Sequence, residues 1–205
     1  MPYNSREVPH RNFVFRLAPA EGQGRDLIYL RVESVSSLYL IGTLHSAAGF
    51  VQRSTAVAMK WGLYFGSLTI ALAFMLAMVA IKRSRPYLAL SAALVMNGLH
   101  VANSQGFLTQ WLWAMRPAWG DASIGWTGGL AMATLLWSLR EFLTRDAGPR
   151  WVDRLYLLAI VCCGLVPLST YLDLYGPTMQ SALLLFLGGL MGGLVLLASR
   201  WRSRP

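Results

Sequence analysis

Five long apolar runs, each with arginine or lysine at one end or in the loop that follows, constrain this chain more than any other feature. They lie near residues 61–81, 87–107, 122–139, 155–175 and 179–198. Each is close to the length of about 20 residues that a helix needs to cross a bilayer. Hydrocarbon offers the backbone no water to bond with, so runs of this length predict helices. The expected fold class is therefore mainly α, a polytopic membrane helical bundle of about five transmembrane helices, with residues 59–205 as its domain. Composition agrees. Hydrophobic residues make up 55% of the 205 and charged residues 13%, which excludes a disordered chain. A net charge of +9 would point to nucleic acid in a soluble protein. Here much of the positive charge falls at the ends of the apolar runs, so the lipid bilayer is the expected partner and nucleic acid is not.

Loop charge predicts the orientation. Lys82, Arg83 and Arg85 follow the first run, Arg140, Arg145, Arg150 and Arg154 lie between the third and fourth, and Arg200, Arg202 and Arg204 end the chain. These three regions share one side if all five runs span. The opposite loops hold only Arg116. Positive charge is retained in the cytoplasm, so the C-terminus is expected inside and the N-terminal segment outside. Aromatic residues mark the same boundaries: Trp61, Tyr64, Trp111, Trp113, Trp119, Tyr171 and Tyr175 on the outer side, Tyr87, Trp151, Tyr156 and Trp201 on the inner. Asp173 reads as a solvated acid at the outer interface.

Residues 1–58 read differently. Met1 to Asn12 holds Arg6, Glu7, His10 and Arg11 and no apolar core of the kind a signal peptide needs. Apolar residues then alternate, with Phe13, Phe15 and Leu17 on one face and later Ile28, Leu30 and Val32. Period-two alternation predicts half-buried antiparallel strands. They are placed near 13–17, 26–33 and 38–44, as a small partial β segment preceding the bundle.

The order of these pieces carries a resemblance. Ile28-Tyr-Leu-Arg-Val32 followed by serines, then Gly62-Leu-Tyr-Phe-Gly66 at the entry to the first run, resembles the bacterial seven-transmembrane receptors with diverse intracellular signalling modules. Ser104 to Trp113, Leu139 to Leu143 and Trp151 to Leu155 resemble the family's later loops and helix ends. The resemblance implies a sensor in the bacterial inner membrane, with an extracytoplasmic β-sandwich that takes a small-molecule or carbohydrate-like ligand. It implies a cytoplasmic signalling partner of the diguanylate cyclase or histidine kinase type. Against that pattern this sequence shows the end of the sandwich, five of seven helices, and no output domain after Arg200, so a truncated remnant stands as an alternative.

Polar and small residues inside the runs are the candidate site residues. Asn97, His100 and Asn103 recur at three-residue spacing, which puts them roughly on one helical face. They read either as a polar relay or ligand site, in which His100 would titrate, or as interhelical hydrogen bonds. Gly188, Gly189, Gly192 and Gly193 form two overlapping small-xxx-small pairs, which suit a homodimer face or packing within one chain. Gly125, Gly128 and Gly129 carry the same two readings. Pro167 predicts a kink in the fourth run. Cys162 and Cys163 read as small apolar packing residues. No phosphate-binding loop, paired carboxylates or metal-ligand spacing is present. The sequence thus predicts no enzyme, no metal and no cofactor. A small transporter or channel subunit is the remaining alternative, resting on the Asn97, His100 and Asn103 face.

Overall fold

The computed structural model describes residues 7–8, 10, 12–17, 29, 42–144, 150–172 and 174–202. Its helices run in the order α1 (Ala47–Lys82), α2 (Arg85–Ser104), α3 (Phe107–Trp111), α4 (Pro117–Thr144), α5 (Arg150–Gly164), α6 (Val166–Ser169) and α7 (Tyr175–Arg202). The described residues contain no strand. Residues 13–17, expected as a strand, are therefore a correction: Phe13, Phe15 and Leu17 are all exposed. The Arg16 N–H donates to the Glu7 carboxylate at 3.3 Å instead of to a neighbouring strand, and a strand exists only through its ladder. Residues 42–44 also form no strand. Asp173 and the segments expected as strands near 26–33 (apart from Tyr29) and at 38–41 lie outside the described residues.

Sequence dictates where the helices begin and turn. Ser46 caps α1, its hydroxyl accepting from the Gly49 N–H at 3.2 Å, which satisfies one of the orphan donors of the first turn. At the other end Arg83 takes the left-handed conformation, φ 44°, and its N–H bonds back to the Val79 carbonyl at 2.8 Å. That closes the helix as a left-handed C-cap does. Pro86 stands in the first turn of α2, where its missing N–H costs nothing. With two residues linking them, α1 and α2 must run antiparallel. Lys82 lies over the Tyr87 ring at 5.7 Å at one end of the pair, and Trp61 meets Phe107 at 6.2 Å at the other.

Pro167 splits the fourth run. Helix α5 ends at Gly164, Leu165 turns, and α6 carries the proline in its first turn. A proline has no N–H for the carbonyl four residues earlier, here that of Cys163. Helix α4 packs against this same carbonyl: a Cβ added to Gly129 would come within 2.7 Å of the Cys163 oxygen and 2.7 Å of Val166 Cβ.

Helix α4 lies at the centre and touches α2, α3, α5, α6 and α7. The principal apolar core sits where it meets α5, α6 and α7, through Leu136, Leu143, Tyr156, Cys163, Val166 and Ala182. An arginine is tied between the same helices. Arg140 makes a two-pronged ion pair with Asp153, 2.7 Å from Nε and 3.0 Å from Nη2. This bond, the largest influence on Arg140, raises its already high pKa, so the pair holds α4 to α5 as a fixed charge.

Among the described residues, three helices are long and apolar enough to cross a membrane: Ala47–Lys82, Arg150–Ser169 and Tyr175–Ala198. The sequence predicts five. The other two, α2 and α4, are 20 and 28 residues long but hold the polar residues. They are the inner helices, and residues shielded by neighbours need not be apolar. The chain is a multi-pass membrane protein built as a helical bundle. By contrast α1 has no buried residue. It leans on α2, with Leu68 set so closely over Gly98 that an added Cβ would lie 2.5 Å from Leu68 Cδ2.

Glycines of α7 divide by face. Gly189 and Gly193 meet Leu136, Leu143 and Tyr156, whereas nothing lies within 4 Å of a Cβ placed on Gly188 or Gly192. Overpacking a filled site costs roughly 1–3 kcal/mol. Gly129→Ala is expected to lose stability of that order, read as a lowered thermal midpoint in detergent. Gly188→Ala should leave the midpoint where it is, and equal effects would refute the inward–outward division.

Candidate functional site

A polar seam joins α2 to α4 within the membrane. Asn103 is buried, at 1% exposure. Its side-chain amide donates to the Ser123 hydroxyl at 2.9 Å and lies 3.4 Å from the Thr127 hydroxyl, and its carbonyl oxygen lies 3.2 Å from the same Ser123 hydroxyl. One turn deeper, His100 Nδ1 meets the same Thr127 hydroxyl at 3.3 Å. Both hydroxyls are also anchored to their own helix, Ser123 to the Gly120 carbonyl at 2.8 Å and Thr127 to the Ser123 carbonyl at 2.9 Å. Serine and threonine bond back in this way routinely in helices. It leaves each oxygen available as an acceptor for the asparagine and histidine.

Close approach makes the seam possible. A Cβ on Gly128 would lie 3.1 Å from His100 Cε1 and 3.8 Å from the Met179 methyl. The imidazole therefore rests on the bare backbone of α4, between α2 and α7. A polar group in this setting has its alternatives removed, since lipid supplies none. What the seam does chemically is hold two helices in one register.

Asn97 departs from the other two. Its amide donates to the Tyr64 hydroxyl on α1 at 3.2 Å. The reason is helical geometry. A residue three positions on is rotated by about 60° short of a full turn, so over six positions the face swings by about 120°. Asn97 thus looks to α1 while His100 and Asn103 look to α4. The three residues form a bridge across α1, α2 and α4, not one pocket wall. Ser123 and Thr127, the partners on α4, stand four residues apart on one face. That spacing is readable in the sequence, although serine and threonine in an apolar run draw little notice.

Above the seam lies an aromatic layer. Trp113 stacks on Trp119 at 5.8 Å, Trp119 meets Trp126 edge-on at 5.8 Å, and Trp126 tilts onto Tyr171 at 5.6 Å. The Trp126 indole donates to the Thr170 hydroxyl at 2.9 Å, which ties α4 to the turn after α6. The buried indole nitrogen of Trp113 has no hydrogen-bond partner among the described residues. A second group, Trp61, Tyr64, Phe65 and Phe107, fastens α1 to the start of α3.

The four glycines proposed for helix packing do not meet this seam. Gly189 and Gly193 serve the inner core, where the Tyr156 hydroxyl donates to the Gly189 carbonyl at 2.7 Å.

Interhelical hydrogen bonds in a bilayer couple by about 0.6 kcal/mol on average and at most about 1.7. A double-mutant cycle on Asn103→Ala and Ser123→Ala should fall in that range, measured by unfolding in mixed micelles. The more exposed pair, Asn97→Ala with Tyr64→Phe, should couple near zero. No coupling at Asn103 would mean that the seam is not held by this bond.

Residues 58–205 match the family described as 7TM diverse intracellular signalling, and residues 1–46 match the one described as 7TMR-DISM extracellular 2. No curated protein and no solved structure matches. The first match takes in α1 from residue 58 onward and every later helix, including the seam and the aromatic layer. The chain belongs to the 7TM diverse-intracellular-signalling family of membrane sensory receptors.

Proposed function

We propose that this chain is the membrane-embedded sensor portion of a bacterial signal-transduction protein, set in the inner membrane with its N-terminus outside and its C-terminus in the cytoplasm. It relays an extracytoplasmic stimulus, in the class of a small or carbohydrate-like ligand, to a cytoplasmic output of the diguanylate cyclase or histidine kinase type. The observation that carries this reading is the single helix joining the two matched regions. Helix α1 has 36 residues, about 54 Å at 1.5 Å per residue, against a hydrocarbon core of about 30 Å. Lys82 and Arg83 mark its inner end. The excess length, roughly 20 Å, therefore projects from the other side, toward the N-terminal segment that matches an extracellular module. Near its start Phe50 packs edge-on against His10 at 5.3 Å, so α1 is in contact with that segment.

From α1 the route runs through hydrogen bonds and notches already described. Tyr64 and Leu68 engage Asn97 and Gly98 on α2, and His100 and Asn103 engage α4. A shift of α1 would be felt at α2 and then at the central helix. A stimulus acts by favouring one of two such packings over the other. The role of Asn97, His100 and Asn103 in this reading is to couple helices, not to bind the ligand.

Topology tests the reading first. Ser37, Ser84 and Ser203 are each changed to Cys in a chain with Cys162→Ala and Cys163→Ala. Position 37 should react with an impermeant thiol reagent in intact cells, and positions 84 and 203 only after permeabilisation. A cytoplasmic position 37 would remove the outward-facing sensor altogether.

A further inference from the structure

The connection between α2 and α4 has two sides. Its inner side is fastened to the bundle: Phe107 packs on Phe65 at 5.6 Å, Trp113 stacks on Trp119, and the Thr109 hydroxyl lies 3.3 Å from where a Gly120 Cβ would be. Its outer side presents Trp111, Leu112 and Met115, which are 78%, 65% and 73% exposed, with exposed Arg116 beside them. Large apolar side chains grouped this way mark a surface that something covers.

Helix length fixes the depth of that surface. Helix α2 is 20 residues long, about 30 Å from Arg85 to Ser104. Counting the same distance along α4 from Arg140 reaches Gly120. Both helices thus leave the hydrocarbon just where the connection starts and ends. The connection is folded back onto these helix ends by α3, by the Phe107–Phe65 contact and by the Trp113–Trp119 stack, so it stays at their level. Tryptophan favours this layer because its ring is apolar and its N–H polar, and arginine there reaches lipid phosphates.

We propose that the α2–α4 connection docks on the lipid surface itself, with Trp111 and Leu112 inserted among headgroups and upper acyl chains and Arg116 at the level of the phosphates. The covered face is then closed to a soluble ligand and to another protein domain. This has a consequence for the seam. The Gly106 N–H bonds to the Asn103 carbonyl at 2.9 Å, and Ser123 bonds to the Gly120 carbonyl at 2.8 Å. The lipid-docked connection therefore caps the outer end of the Asn103–Ser123 pair, and lipid packing in that leaflet acts directly on the α2–α4 contact. The inference rests on the multi-pass bundle and not on the sensor reading, so either can fail alone.

Spin labels test it on the full chain in nanodiscs of phosphatidylethanolamine and phosphatidylglycerol. Trp111→Cys and Leu112→Cys are made singly with Cys162→Ala and Cys163→Ala, and collision with oxygen is compared with collision with a water-soluble nickel chelate. Gly42→Cys serves as the aqueous reference and Leu76→Cys as the lipid reference. The ratio of oxygen to nickel collisions at 111 and 112 should exceed that at 42 several-fold and approach that at 76. A ratio like that at 42 places the connection in water and overturns the proposal. Low collision with both reagents means that protein covers the face, and overturns it equally. As an independent reading, lipids brominated near the headgroup should quench more fluorescence from the unsubstituted chain than from the Trp111→Phe variant. Equal quenching would count against lipid docking.

Discussion

At Gly129 the backbone of α4 lies so near the Cys163 carbonyl and the Val166 side chain that a Cβ would come within 2.7 Å of each. Gly125 brings it as near to Tyr175, at 2.7 Å, and Gly128 brings it within 3.1 Å of His100. Three glycines within five residues thus let α2, α5–α6 and α7 reach the same helix backbone from different directions. In lipid the helices gain little from hiding apolar surface, because the surroundings are apolar too. Association depends on close packing and on hydrogen bonds. Bare backbone at these three positions is what allows both.

The polar seam follows from that closeness. His100 and Asn103 reach Thr127 and Ser123 because α2 is drawn against α4. The hydroxyls are held by their own helix and so present fixed acceptors. Pro167 contributes from the other side, since the carbonyl it leaves without an N–H partner is the one that faces Gly129. The aromatic layer on one side of the seam and the Arg140–Asp153 pair near the other end of α4 then fix the central helix at both ends. Helix α1 stands apart from this. Among the described residues it joins through a glycine notch, an exposed hydrogen bond, the Lys82–Tyr87 contact and a group of rings, and buries no residue of its own, so it is the element whose position changes with least disruption.

Much of this architecture is legible in the sequence, for identifiable reasons. Apolar runs of membrane-spanning length read directly, because hydrocarbon permits only hydrogen-bonded helices. Charges at Lys82, Arg83 and Arg85 mark helix ends for the same reason. At 13–17 the alternation of Phe13, Phe15 and Leu17 signals a strand, yet those residues form none, because alternation alone does not build a ladder. The candidate site was half legible. Spacing brings out Asn97, His100 and Asn103, yet a rotation of about 120° over six residues separates their targets. Nor does spacing say which of two overlapping glycine pairs on α7 turns inward.

The sequence by itself determined that this chain is a bundle of membrane helices with a polar N-terminal segment, and it marked the family. Those follow from local chemistry: run length, charge placement and short motifs. Only the tertiary structure decided that α4 is central, that Gly189 and Gly193 face the core while Gly188 and Gly192 do not, and that Ser123 and Thr127 complete the seam. These depend on which helix lies beside which. Each helix presents several faces of similar composition, so the choice among them is made by contact across the bundle.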